Sequence, residues 1–218
     1  MSGERFHSTL HRKDPLFAEL TEHARFLALP NQSGKVPRMY DVSSITENPV
    51  LFKKTVLFLA NRYRQLQPPP THILAIESRG FVLGAPLAME LGIPFVLMRT
   101  QPPAPASFED FDQERSLLPT IVVRNKSINA SSRVVIVDDI ISSGCTMVSA
   151  VECVNVVGAN IVEIVAVCDM IEGGGVEVLK KMASSGGHLS VFTFFSLRNS
   201  LEAISYSKKK RKTWSSNL

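Results

Sequence analysis

Apolar positions recur along the chain in two rhythms. After Asp14-Pro15, an N-cap followed by proline at the first helical position, Leu16, Phe17, Leu20, Ala24 and Leu27 fall at helical spacing. They predict an amphipathic helix reaching Leu27, broken by the turn-rich residues 31–37. Asn48-Pro49 opens a second helix through Phe52, Val56, Leu57, Ala60 and Tyr63, and Pro68-Pro69-Pro70 ends it. Beyond that point short apolar runs bounded by turn residues, at 72–76, 94–98, 120–124, 133–137, 161–167 and 191–195, predict buried strands. Residues 80–91, 146–157 and 176–182 predict helices, the first two stopping at Gly92 and Gly158. Strands alternating with helices imply βαβ units, hence an α/β chain with a mainly parallel, doubly wound sheet flanked by helices. Ligands of such sheets sit at the carboxyl ends of strands, which directs attention to the segments after Ile76, Met98 and Val137.

One of these segments carries readable chemistry. The strand Val134-Val135-Ile136-Val137 runs into Asp138 and Asp139, then Ile140, Ile141, Ser142, Ser143, Gly144, Cys145 and Thr146, then a helix. A small-residue loop entering a helix N-terminus offers several backbone N–H groups and the helix dipole to one phosphate. The hydroxyls of Ser142, Ser143 and Thr146 can add hydrogen bonds. Two carboxylates are wrong for gripping phosphate, since like charges repel, but they suit vicinal ribose hydroxyls, which donate. A sugar clamp beside a phosphate cradle fits a ribose 5-phosphate ligand.

The stretch 134–146 resembles the phosphoribosyl-pyrophosphate (PRPP) signature of type I phosphoribosyltransferases. The run Ala75-Ile76-Glu77-Ser78-Arg79-Gly80-Phe81 resembles the acid-Ser-Arg-Gly-Phe loop of adenine phosphoribosyltransferases, as do residues 36–43 and Gly92 to Arg99. The resemblance covers roughly residues 13–200 and implies a type I fold: a small N-terminal hood at 1–45, a core at 46–200 with a flexible catalytic loop near 100–118, and a tail at 201–218. It implies the reaction of adenine with PRPP to give AMP and pyrophosphate, with Mg²⁺ carried by substrate oxygens and no metal-ligating protein cage, in a homodimer. The residues at 142–146 would hold the 5′-phosphate, and Asp138 and Asp139 the ribose hydroxyls. Glu77, Ser78 and Arg79, in a loop that can carry a non-proline cis peptide, would wrap pyrophosphate, with Arg99 a further cation. Backbone around Arg38 to Tyr40 would read adenine, and Glu114, or alternatively Glu109, would close over it from the flexible loop. Three departures stand out: Arg115 follows Glu114 where a Tyr is usual, Arg99 lacks the lysines that usually follow, and Cys145 replaces a glycine. They leave open a second reading, a weakly active homologue that binds nucleotide as a regulator or partner of an active relative.

Composition narrows the rest. With 44% hydrophobic and 20% charged residues, the chain of 218 is that of a globular protein rather than a disordered one. Neither a secretory leader nor a membrane span is expected. Net charge is +4, but Lys208, Lys209, Lys210, Arg211 and Lys212 are contiguous, and without them 19 basic residues face 20 acidic ones. No nucleic-acid partner is therefore expected of the body; the basic run reads as a nuclear signal, an anion-binding patch or a solvated charge run. Ser216-Asn217-Leu218 resembles the S-K-L peroxisomal (glycosomal) address, so the alternatives are cytoplasm or import through its receptor. Cys145, Cys153 and Cys168 form no C-x-x-C pair and read as free thiols in a reducing compartment, Cys145 being either a redox-sensitive thiol at a helix N-terminus or an unselected replacement. The five histidines show no metal spacing.

Overall fold

The computed structural model describes residues 6–28, 38–101, 120–186 and 189–197. The chain opens with strand β1 (His7–Thr9), helix α1 (Pro15–His23) and the strands β2 (Arg25–Ala28) and β3 (Arg38–Asp41). A single turn, α2 (Ser43–Thr46), and the long α3 (Pro49–Arg64) follow. Then come β4 (His72–Ile76), α4 (Gly80–Leu91), β5 (Phe95–Gln101), β6 (Thr120–Val122), β7 (Arg133–Val137) and β8 (Ile140–Ile141). Helix α5 (Cys145–Val157), β9 (Asn160–Met170), a 3₁₀ turn (Ile171–Gly173), α6 (Gly175–Gly186) and β10 (Val191–Leu197) complete it.

Side-chain caps set two of the helix starts. Asp14 Oδ1 accepts from the Leu16 amide at 2.9 Å and Asn48 Oδ1 from the Leu51 amide at 3.1 Å, each with proline at the head of the helix. Helix α1 ends four residues before the predicted Leu27. Ala24 turns extended (ψ 126°), and residues 25–28 pair antiparallel with β3, which satisfies their backbone while the Phe26 ring meets Tyr40 edge-on at 6.1 Å. Tertiary pairing overrides the helical spacing here.

Among the described residues the main sheet runs β1-β10-β9-β7-β4-β5-β6, with β8 added beside β9; every pair is parallel except β5–β6. Strands β1 and β8 were too short to carry a periodic signal. Because β1 is the edge strand beside β10, residues 7–9 belong to the core sheet rather than to a hood ending at 45.

The central strands are buried on both faces, as a doubly wound sheet requires. On β4, Ile73 and Ala75 join an apolar cluster with Leu16, Leu59 and Leu87 from α1, α3 and α4, while Leu74 and Ile76 join a second with Met147, Val154 and Leu179 from α5 and α6. On β7, Val135 and Val137 divide from Val134 and Ile136 in the same way. This alternation holds the strand ends, and the loops leaving them, in fixed register. No helix among the described residues is long and apolar enough to cross a membrane.

Candidate active site

From β4 the chain crosses to β5 on one side and later returns to β7 on the other, so the sheet's topological switch point lies between β4 and β7. Their carboxyl ends stand together, Ala75 opposite Val137. A cavity of about 140 Å³ opens there, lined by Arg79, Asp138 and residues 140–147.

The loop after β7 is built rigidly. Strand β8 ties residues 140–141 to β9, and Gly144, at φ +82°, makes the left-handed turn into α5 that an L side chain would strain. Ser142, Ser143 and Cys145 are exposed and Thr146 half-buried around the cavity, where first-turn amides of α5 lack intrahelical acceptors. Behind the loop the Gly175 amide donates to Ser142 O at 2.8 Å. A Cβ on Gly173 would fall 2.3 Å from Ser142 O, and one on Gly175 would fall 2.5 Å from that oxygen and 2.7 Å from the Gly144 amide nitrogen. This backing was missed in the sequence; its one local signal is three consecutive glycines two residues beyond a strand.

The two acids are not equivalent. Asp138 lines the cavity, and its Oδ1 accepts from the Asp139 amide at 2.8 Å. Asp139 is 1% exposed, and Arg79 Nε lies 2.9 Å from its Oδ2, a charge contact that leaves both carboxylate oxygens without a hydrogen-bond partner among the described residues. Burial first, and the adjacent Asp139 charge second, push the Asp138 carboxyl well above the usual carboxylate range. Burial also raises Asp139, against the opposing pull of Arg79.

A carboxyl raised in the folded state stabilises the fold below its unfolded value and loses that contribution as pH rises through the folded one. Ionised Asp138 is therefore a cost at neutral pH. Asp138→Asn keeps the Oδ1 acceptor and removes the charge, so thermal melting at pH 7 should show a gain of about 1 kcal/mol that fades toward pH 4, together with weaker PRPP binding. Unchanged melting at pH 7 would show that the charge is fully screened.

The loop after β4 is exposed and its Glu77–Ser78 peptide is cis. The Glu77 amide donates to Met98 O at 2.9 Å, its Oε2 accepts from the Thr100 amide at 3.2 Å, and Arg99 Nη1 lies 3.8 Å from Oε1. Glu77, Ser78, Arg79 and Arg99 thus rim the carboxyl ends of β4 and β5. The side chain of Tyr40 is elsewhere: fully buried, edge-on to Phe195 at 5.4 Å, its hydroxyl accepting from Ser44 Oγ at 2.8 Å. Expected among the substrate-binding residues, Tyr40 is in its ring a core residue, and only its backbone in β3 is left to meet a base. Arg38 lies on β3 opposite Ala28. Glu109 and Glu114 fall outside the described residues.

Fold and loop together define a protein that takes a phosphorylated sugar at the switch point of a doubly wound sheet. The family model for the phosphoribosyl transferase domain matches residues 41–185. An adenine phosphoribosyltransferase of Carboxydothermus hydrogenoformans is 36% identical over 133 residues, 60% of this chain and 76% of that relative. The crystal structure of the Leishmania donovani adenine phosphoribosyltransferase matches with a TM-score of 0.73 at 30% identity, covering 90% of this chain and 86% of that one. The Trypanosoma brucei enzyme, solved in complex with AMP, pyrophosphate and ribose-5-phosphate, matches at 0.72 and 30%, with 90% and 86% covered. The chain belongs to the adenine phosphoribosyltransferases of the phosphoribosyl transferase family.

Proposed function

We propose that the site transfers the phosphoribosyl group of PRPP to adenine, giving AMP and pyrophosphate for purine salvage. The observation that carries this reading is the single cavity edge where Asp138, Arg79 and the glycine-backed loop at 142–146 meet. The Trypanosoma brucei relative, solved in complex with AMP, pyrophosphate and ribose-5-phosphate, supports the same classes of ligand.

The chemistry follows from charge. As pyrophosphate leaves ribose C1′, positive charge builds on the ring and negative charge on the leaving group; fixed cations at the leaving group lower that barrier most. Arg79 and Arg99 take the leaving group, Asp138 and Asp139 fix the ribose hydroxyls, and the amides and hydroxyls of 142–146 hold the 5′-phosphate. Mg²⁺ would be carried by the oxygens of PRPP, as its reluctance to shed water favours, and would supply further charge neutralisation beside Arg79 and Arg99. Backbone of the segment near Arg38 and Tyr40 reads adenine, and Glu114 or Glu109 approaches the base from the segment between β5 and β6. The working form is a homodimer, which light scattering tests. For location the alternatives are the cytoplasm or import read from Ser216-Asn217-Leu218, and a fluorescent fusion with and without those three residues decides between them.

Purified protein with PRPP and Mg²⁺ should convert labelled adenine to AMP and leave hypoxanthine and guanine unused. Turnover of another base in preference would overturn the adenine reading. One observation favours a second reading: Cys145 puts a side chain at the rim of the cradle, where bare backbone best approaches phosphate. AMP or PRPP binding by calorimetry without any turnover would establish that reading, a nucleotide-binding partner, instead.

A further inference from the structure

The two halves of the site meet in one contact. Arg79 lines the cavity with its side chain 44% exposed, whereas Asp139, whose Oδ2 is 2.9 Å from Arg79 Nε, is 1% exposed and does not line it. On the function proposed above, on which this inference rests, Arg79 serves the pyrophosphate half and Asp139 the ribose half. In the structure the two instead lie against each other.

We infer that the Arg79–Asp139 pair is an exchange contact that couples the two subsites, so that ribose and pyrophosphate each bind better when the other is present. Buried carboxylates are normally hydrogen-bonded, and both oxygens of Asp139 lack such a partner among the described residues. Of the sugar's two vicinal O–H donors, one can go to Asp138 and the other to those acceptors. Once they engage, the carboxylate charge is shared, and the guanidinium, with five donors in a fixed fork, can turn to a phosphate oxygen. Pyrophosphate arriving first draws Arg79 away and uncovers Asp139 for the sugar. With Asp139 buried, the contact is screened less than one between two exposed side chains. The Arg99–Glu77 contact repeats the pattern at 3.8 Å, but both of its side chains are much more exposed, at 61% and 35%, so it contributes little.

The sign separates this device from simple electrostatics. Ribose 5-phosphate and pyrophosphate are both anions, so without the exchange each should oppose the other. Removing a cation should likewise weaken both.

The test is calorimetry on the full chain with Mg²⁺, titrating ribose 5-phosphate and pyrophosphate, each alone and with the other saturating. In the wild type each should tighten the other by about fivefold or more. Arg79→Gln should weaken pyrophosphate yet bind ribose 5-phosphate more tightly than the wild type, with the coupling gone. Asp139→Asn, which retains the volume should Arg79→Gln fail to fold, should bind pyrophosphate more tightly alone and also lose the coupling. Absent or negative coupling in the wild type, coupling that survives either substitution, or weaker ribose 5-phosphate binding by Arg79→Gln would overturn the exchange. Failure of the wild type to bind either ligand would instead remove the proposed function, and the exchange with it.

Discussion

Gly175→Ala is expected to lower kcat/KM for PRPP by about 100-fold while the protein still folds. Helix α6 begins at Gly175, and alanine is the better helix former by about 1 kcal/mol, so intrinsic propensity favours the substitution. Contact opposes it. The new Cβ would lie 2.5 Å from Ser142 O, 2.7 Å from Gly144 N and 2.8 Å from Ile141 Cγ2, and the first two are backbone atoms with no rotamer to escape into. The loop must move outward by a substantial fraction of an ångström, and the 2.8 Å bond from the Gly175 amide to Ser142 O must lengthen with it. Amides aimed at a phosphate lose about two orders of magnitude from a displacement near 1 Å. Gly174→Ala is the internal control. Its φ is +71° but a Cβ there meets nothing within 4 Å, so it should cost about 1 kcal/mol in melting and leave KM unchanged. Steady-state kinetics on both variants decides the matter: equal KM values would show that the glycine run does not position the loop.

The same residues show where sequence reading succeeds and where it stops. The acid pair and the small-residue loop at 138–146 were legible because their chemistry is local: a strand, two carboxylates and a helix start within nine residues. The glycines at 173–175 were not, because what makes them matter is a loop some 30 residues earlier that only the β7–β9 pairing brings against them. The burial of β4 and β7 on both faces followed from short apolar runs, which can be accommodated only between two helical layers. One misplacement has a tertiary cause. Helical spacing at 16–27 gave way to the β2–β3 pairing, in which Phe26 and Tyr40 pack edge to face. The difference between Asp138 and Asp139 was equally hidden, since it depends on Arg79 arriving from the neighbouring strand end.

Glu163 is a further case of chemistry hidden in an apolar run, and its removal should have the largest effect on stability. The residue sits in β9 at 4% exposure and accepts four hydrogen bonds: from Arg62 Nε at 2.8 Å, Arg62 Nη2 at 2.7 Å, the Tyr63 hydroxyl at 3.0 Å and Ser190 Oγ at 3.3 Å. Arg62 also lies over the Phe192 ring, 4.4 Å from its centroid. The bond to Glu163 raises the Arg62 pKa, and burial followed by the Glu163 charge raises that of Tyr63. Buried ion pairs are often no more stabilising than an apolar replacement of both partners, but removing one partner strands the other. Glu163→Ala leaves a guanidinium and a fully buried tyrosine hydroxyl without their acceptor, a loss of about 3–5 kcal/mol. For a chain of this length that lowers the melting temperature by about 10 °C. Kinetics of the folded fraction should not change, because Glu163 lies near the start of β9 and the cavity opens at the strand ends, beside residues 140–147. A double-mutant cycle with Arg62→Ala gives the coupling directly. Melting within 2 °C of the wild type for Glu163→Ala would mean that water replaces the carboxylate, and that the cluster joining α3 to β9 contributes far less than its geometry implies.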